Sequence, residues 1–358
     1  MDTVEPADAD ADDLVALTDG AVLHALGPGA GEADAAAGAP VPGGTMASGD
    51  DAREVIRATG ADRVRFLNGI VTGSVGTTPV GGGCHATLLT LKAHVVAELR
   101  IFLRAEDAYL VVARGQGGPA ARALARYAIT DDFAAEPLAD FGLLALLGPA
   151  AERYLAEIGY PVETLADRDT WSHEDRSGPA GPVWLVRAHQ LGADGYWLGA
   201  PASTLGAVKA ALGARGLATL SASAARAARV AAFEPAWGHE ITGEHFPMEV
   251  GLGDAIDYQK GCFLGQEPIV RIRDRGHVNW RLAQVRVVGT SASDRLPSPA
   301  WQIEAVAKAR AGALTSVARV RGQGVLALGL LHASVPVGAP ITLVGPEGMR
   351  LEATVVRD

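Results

Sequence analysis

The chain has 358 residues, two cysteines and a formal net charge of −10. That length supports more than one domain without disulfide staples, and Cys84 and Cys262, outside any CxxC spacing, fit a reduced cytoplasmic protein better than a secreted scaffold or a zinc ribbon. The charge is local: residues 1–50 hold ten acids and no Lys or Arg, so the other 31 of 41 acids balance 31 bases over the rest of the chain.

The elements follow in chain order. Residues 1–50 are expected to be a mostly disordered acidic segment, carrying a helical turn over 12–17, a strand over 21–26 and then an Ala/Gly/Pro-rich linker. Its acidic start is unlike the basic start of a signal peptide. A strand over 54–59 and a helix over 61–71 open the folded part, the helix marked by Val64, Leu67 and Val71. From 87 to 113 the period turns to two: Val95, Ala97, Leu99, Ile101 and Leu103 alternate with a face holding Glu98, Arg100 and Arg104, and Glu106-Asp107 makes a hairpin turn. Pro119 suits the first turn of a helix running to Tyr127.

A second lobe, about 143–216, reads β-α-β-β-α, with strands over 143–147, 183–188 and 196–199 and helices after Pro149 and over 202–212, the order of a ferredoxin-like unit. Ser221 caps a helix over 222–233, and 234–246 is irregular. From 282 to 358, five short runs (284–288, 313–320, 326–330, 341–344 and 353–357) split by Gly and Pro predict a small antiparallel barrel or sandwich. Within this part the apolar stretch 325–344 is broken by Gly329, Pro336, Gly338 and Pro340, which excludes a membrane-spanning helix.

No phosphate-binding GxxxxGK[ST] and no GxSxG elbow is present. His239-Glu240 and Glu244-His245 match neither HExxH nor HxxEH, so no metal site is expected. The informative stretch is Lys260-Gly261-Cys262-Phe263-Leu264-Gly265-Gln266-Glu267-Pro268. Gly261 and Gly265 allow tight turns, and Pro268 argues against a continuous helix. A nearby Lys260 favours a Cys262 thiolate and a nearby Glu267 opposes it. Arg271, Arg273, Arg275, Arg281 and Arg286 read as a basic strand-borne stripe, either a solvated face or a contact for an anionic ligand or RNA.

These residues carry a family resemblance. Lys260 to Glu267 resembles the KGC[FY]xGQE signature of the YgfZ group of folate-binding proteins, relatives of the glycine-cleavage T-protein, and Arg271 matches the basic residue that follows it. Gly60 to Leu67, Arg229 to Gly238, and Gly312 to Ser316 are similar to further family runs. The resemblance implies an α+β fold, a three-lobed ring of ferredoxin-like lobes around a central cavity, with a folate-binding region over 51–281 and a C-terminal β-barrel over 282–358. It implies tetrahydrofolate as the bound cofactor, with Arg229 meeting its anionic part, Trp237 walling the pterin and Glu98 as the one surviving acid of a T-protein Asp-Asp pair. Cys262 is the expected reactive residue, with Lys260, Gly261, Gly265, Gln266 and Glu267 shaping its loop and Arg271, Arg273 and Arg275 as anion contacts. Implied partners are iron-sulfur enzymes or their assembly factors, including tRNA-modifying enzymes, and no membrane. Trp197 stands where T-proteins carry a pterin-binding glutamate, and Ala231 where the family has Glu. Two alternatives remain: a folate-dependent aminomethyl or one-carbon transferase of T-protein type, and a non-enzymatic, folate-stabilised adaptor.

Overall fold

The computed structural model describes residues 21–25, 52–289, 296–306 and 308–358. The helical turn expected over 12–17 and the linker to residue 50 lie outside them. The strand expected near 21–26 is β1 (Val22–Ala25), and it does not belong to a detached segment. Val22 and Leu23 are 0% and 2% exposed and pair with Leu147 and Leu146 of the second lobe. An apolar Val-Leu pair on a strand is stable only with both faces covered, which is why this short piece leaves the acidic segment for a sheet.

The first lobe contains β2 (Arg53–Thr59), α1 (Arg63–Ile70), β3 (Gly83–Leu89), β4 (Val95–Leu103), β5 (Ala108–Ala113), α2 (Gly117–Ala125) and β6 (Ala134–Pro137). Its antiparallel sheet runs β3-β4-β5-β2-β6. The alternation read from the sequence is obeyed: Ala97, Leu99, Ile101 and Leu103 enter a core with Phe66, Leu67 and Ile70 of α1. The second lobe follows as β7 (Gly142–Leu147), α3 (Ala151–Glu157), α4 (Glu163–Ala166), β8 (His173–Gly178), β9 (Gly181–Gln190), β10 (Ala193–Ala200), α5 (Ala202–Gly213) and β11 (Ala218–Thr219). Its sheet runs β11-β1-β7-β10-β9-β8.

Helix α6 (Ala222–Ala232) joins the three parts. Ser221 Oγ caps it by accepting from the Ala224 N–H, and Phe233 ends it in the left-handed region. Its alanines let both sides approach closely. Ala224, Ala225 and Ala228 join the core between the two sheets, and Ala227 and Val230 pack on Leu282, Ala318 and Leu328 of the C-terminal part. That part is a closed six-stranded barrel, β12 (Trp280–Val287), β13 (Gln302–Ala305), β14 (Lys308–Val320), β15 (Gly324–His332), β16 (Pro340–Val344) and β17 (Arg350–Arg357), in the order β12-β15-β14-β13-β16-β17. The α+β class with a C-terminal barrel agrees with the sequence reading. Within the barrel the strand that reading lacked is β13, whose four residues Gln-Ile-Glu-Ala carry too little periodicity to stand out, and before the barrel it also lacked β6, β8 and β11.

One expectation needs correction. The residues after Gly265 form a helix, α7 (Gln266–Arg275), with Pro268 as its third residue. The first-turn N–H groups of a helix have no intrahelical partner, so a proline there costs no hydrogen bond. No helix among the described residues is long and apolar enough to cross a membrane.

Candidate functional site

The segment bearing Cys262 is docked on the open edge of the first lobe's sheet. Thr72, which follows α1, is fully buried and uses all its polar groups there: its N–H bonds Thr87, its hydroxyl donates to the Ala255 carbonyl at 2.6 Å, and its own carbonyl receives the Asp257 N–H. Phe263 anchors the loop from below, 6% exposed, among Leu89, Val95, Val250 and Ile269, with Trp237 and Tyr258 partly buried beside them. Gly265 completes the fit. It sits at φ +78°, and a Cβ there would lie 2.5 Å from the Thr90 carbonyl oxygen, so only glycine closes this contact without displacement.

Lys260 is turned inward. Its ammonium donates to the carbonyls of Val71 at 2.9 Å and Gly73 at 2.7 Å, and burial lowers its pKa to about 8 against the opposing influence of Cys84 and Asp257. Cys84, on β3, is half-buried, and burial pushes its thiol up despite Thr78 and Lys260. Cys262 is exposed. Glu267 pairs with Arg271 at 2.6 Å, so the lysine and the glutamate that flank the cysteine in sequence both bond elsewhere. Gly261 is exposed, and Gln266 opens α7.

On the adjoining strands Glu98 is held between the Arg100 guanidinium and the His85 imidazole. Arg100 Nη1 donates to its Oε1 at 2.8 Å and the His85 ring nitrogen Nε2 lies 3.0 Å from the same oxygen. Burial opposes its charge, yet Arg100, the His85 hydrogen bond and Arg53 keep the carboxyl well below the usual range. Burial and Arg100 lower His85, so at neutral pH its Nε2 carries a proton and donates without a ring charge. The Arg100 guanidinium also stands 5.1 Å from the Trp171 ring centroid. Glu98, Arg100 and His85 are therefore one cluster. Sequence reading had Glu98 and Arg100 on one strand face through the period of two but missed His85 and Trp171, which come from another strand and from a distant loop.

Arg229 is placed differently from the expectation. It is 1% exposed, and its Nη1 donates at 2.9 Å both to Glu240 Oε2 and to the Glu234 carbonyl, while Nη2 donates to Ser316 Oγ at 2.7 Å. Glu240 is fully buried and accepts in addition from the Ala236 N–H, Thr315 and Ser316. This pair binds α6 to strand β14, and a guanidinium so enclosed does not face an anionic ligand. The basic stripe is corrected as well. Arg271, Arg273 and Arg275 stand on a helix, where Arg271 and Arg275, four apart, share a side and Arg273 points roughly 160° away from Arg271, so the three do not form one stripe. Arg273 pairs with Asp274 at 2.6 Å and lies over Tyr258, and Arg281 reaches Asp358.

Trp197, noted from the sequence as a departure from the T-protein pattern, is 2% exposed and donates to Gln190 Oε1 at 2.8 Å. With Phe102, Trp171 and Trp184 it fills the contact between the two sheets. An open cleft of about 840 Å³ lies elsewhere, between the second lobe, α6 and the β14–β15 turn, lined among others by Glu152, Arg187, Tyr196 and Gln323. It contains neither Cys262, Lys260 nor Glu98. Several of its polar groups are matched internally, Tyr196 to Glu152 at 2.8 Å, Arg187 to the Arg168 carbonyl and Asp194 to His189 at 2.8 Å. Arg100, partly exposed with one hydrogen bond to protein among the described residues, makes the first-lobe cluster the better candidate for chemistry.

Comparison with known proteins agrees with this architecture. The chain is 32% identical over 164 residues to an aminomethyltransferase of Symbiobacterium thermophilum, covering 44% of this chain and 42% of that protein. It is 27% identical over 221 residues to an aminomethyltransferase of Exiguobacterium sibiricum, covering 61% and 60%. The chain thus spans about half the length of these relatives. The crystal structure of glycine cleavage system aminomethyltransferase T from Bartonella henselae superimposes with a TM-score of 0.79 at 18% identity, over 96% of this chain and 87% of that one, which is a likeness of fold. The model of the GCVT N-terminal domain matches residues 52–260, more than half of the chain, and the protein belongs to that family.

Proposed function

We propose that the protein binds a reduced folate at the junction of the first lobe with the Lys260–Gly265 loop, and that it acts through Cys262 in the manner of the YgfZ group, supporting the maturation or repair of iron-sulfur enzymes, tRNA-modifying ones included. The observation that carries the reading is the pairing of an exposed Cys262 with a loop fastened by Lys260, Thr72 and Gly265. Such a loop presents one thiol at a fixed place and leaves its sulfur accessible to thiol exchange or a cluster ligand. Lys260 serves the loop as an anchor and Trp237 stands beside Phe263 at its base. Arg229 belongs to the frame. The aminomethyl-transfer chemistry expected of the T-protein relatives needs an available carboxylate, whereas here Glu98 is tied to Arg100 and His85, and Trp197 occupies the other acidic position.

A second reading, aminomethyl transfer to tetrahydrofolate, is favoured by the name that the curated relatives carry. Two assays separate them. In cells lacking the protein, wild type restores the activity of an iron-sulfur tRNA methylthiolase and Cys262→Ala does not. With purified protein, tetrahydrofolate and an aminomethyl donor release no ammonia. Ammonia release that survives Cys262→Ala, with full methylthiolase activity in the variant, supports the transferase and sinks the cysteine reading.

A further inference from the structure

The first lobe's sheet turns one face to the second lobe, and its register shows what stands there. Val55 pairs with Val111 and Phe102 with Tyr109, and these residues enter the core between the sheets. Residues paired across antiparallel strands share a side. Arg100 pairs with both Val111 and His85, Glu98 pairs with Thr87, and Arg53 pairs with Ala113, two residues beyond Val111. Arg53, His85, Glu98 and Arg100 therefore continue the same face as a charged patch at the end of the apolar contact.

Within this patch Arg100 is incompletely matched. Its side chain is 23% exposed, and Glu98 is its one hydrogen-bond partner among the described residues, reached through Nη1 alone. Nε and Nη2 lie in the same plane with no protein acceptor. Trp171 backs the guanidinium on one side. The surrounding acids do not supply the missing acceptor: Glu98 is turned to Nη1, Glu234 accepts the N–H groups of Leu191 and Gly192 at 3.0 Å each, and Asp254 acts on His85. A half-buried guanidinium with two coplanar donors open fits an oxygen acceptor, either a ring carbonyl or a carboxylate.

We propose that Arg100, oriented by Glu98 and backed by Trp171, receives an oxygen acceptor of the bound ligand, with Arg53 as the neighbouring cation, at the place in recognition that the sequence resemblance gives to Arg229. This rests on the folate reading. A folate offers the acceptor from two sources, the pterin carbonyl and the glutamate carboxylates, and its fragments tell them apart. Calorimetry on the full chain with tetrahydrofolate, with a tail-less tetrahydropterin and with p-aminobenzoylglutamate compares wild type, Arg100→Gln and Arg100→Lys. Arg100→Gln weakens tetrahydrofolate binding about tenfold or more, Arg100→Lys restores part of it because an ammonium lacks the planar fork, and the fragment whose binding falls identifies the source. Where Arg100→Gln fails to fold, the double variant E98Q/R100Q, which leaves no unpaired carboxylate, shows the same loss. Wild-type binding that Arg100→Gln and E98Q/R100Q leave unchanged overturns this assignment alone. Absence of binding by wild type overturns the folate reading and this assignment with it.

Discussion

Arg229 and Arg100 each hold a carboxylate at almost the same distance, 2.9 Å to Glu240 and 2.8 Å to Glu98, and their surroundings give them opposite roles. Around Arg229 every neighbour closes the site: Glu240 takes four donors, and helix, loop and barrel meet on the pair. Around Arg100 the neighbours leave room, with one bond to protein, a tryptophan face and partial exposure. A buried ion pair contributes little net stability when intact, but it is costly to halve, because the survivor stays desolvated and unmatched. Enclosure, 1% exposure of Arg229 against 23% of the Arg100 side chain, and not residue type, separates the frame from the surface proposed to face the ligand.

The comparison breaks first at the frame. Arg229→Met leaves Glu240 buried without its cation and is expected to lower stability by about 3–5 kcal/mol in urea unfolding. R229M/E240M recovers part of that loss. A single variant within about 1 kcal/mol of wild type means that the pair is not the clamp described.

A smaller effect, on the order of 3 kcal/mol, comes from His173 in the contact between the lobes. The side chain is 4% exposed, its Nε2 lies 3.0 Å from the Leu103 carbonyl, and burial pushes its pKa down to about 4. The unfolded chain protonates this ring near pH 6.5 while the folded protein holds it neutral. The unfolded state therefore binds more protons between these values, and stability falls as the pH drops from about 6.5 to about 4. His173→Gln flattens that slope. Denaturation curves at several pH values that keep the same slope in the variant place the titrating group elsewhere.

The mildest change tests the loop. Gly265→Ala puts a methyl group against the Thr90 carbonyl in a left-handed conformation, at a cost of about 1–2 kcal/mol, and shifts the loop. The alkylation rate of Cys262 changes with it. An unaltered rate and stability show that the Gly265 contact does not set the position of the cysteine.

Much of the fold was readable because local pattern and tertiary demand agree. The alternation over 95–103 gives a sheet with one apolar face, Ser221 caps a helix, and Gly- and Pro-punctuated runs give the barrel. Strand β1 was legible as a strand, but its insertion beside β7 depends on a partner more than 100 residues away. The reading of Arg229 failed for the same reason: no local signal shows that Glu240 and Ser316 converge on it from a loop and a barrel strand. Pro268 speaks against a helix only where its missing N–H is needed, and it falls in the tolerant first turn of α7 because the start of that helix at Gly265 is set by contact with Thr90, which no local signal shows. Cys262 stood out through its motif, whereas the cluster of His85, Glu98, Arg100 and Trp171 exists only once two strands and a loop are brought together.

The central claim is that the lobe junction is a folate site. Titrating the full chain with tetrahydrofolate in a calorimeter tests it most directly, with Trp171 fluorescence followed in a chain whose other tryptophans are replaced by Phe. The account predicts saturable binding with a change in Trp171 emission that variants of the separate cleft, such as Gln323→Ala, leave intact. Absence of binding up to about millimolar ligand, a limit of roughly −4 kcal/mol, contradicts it.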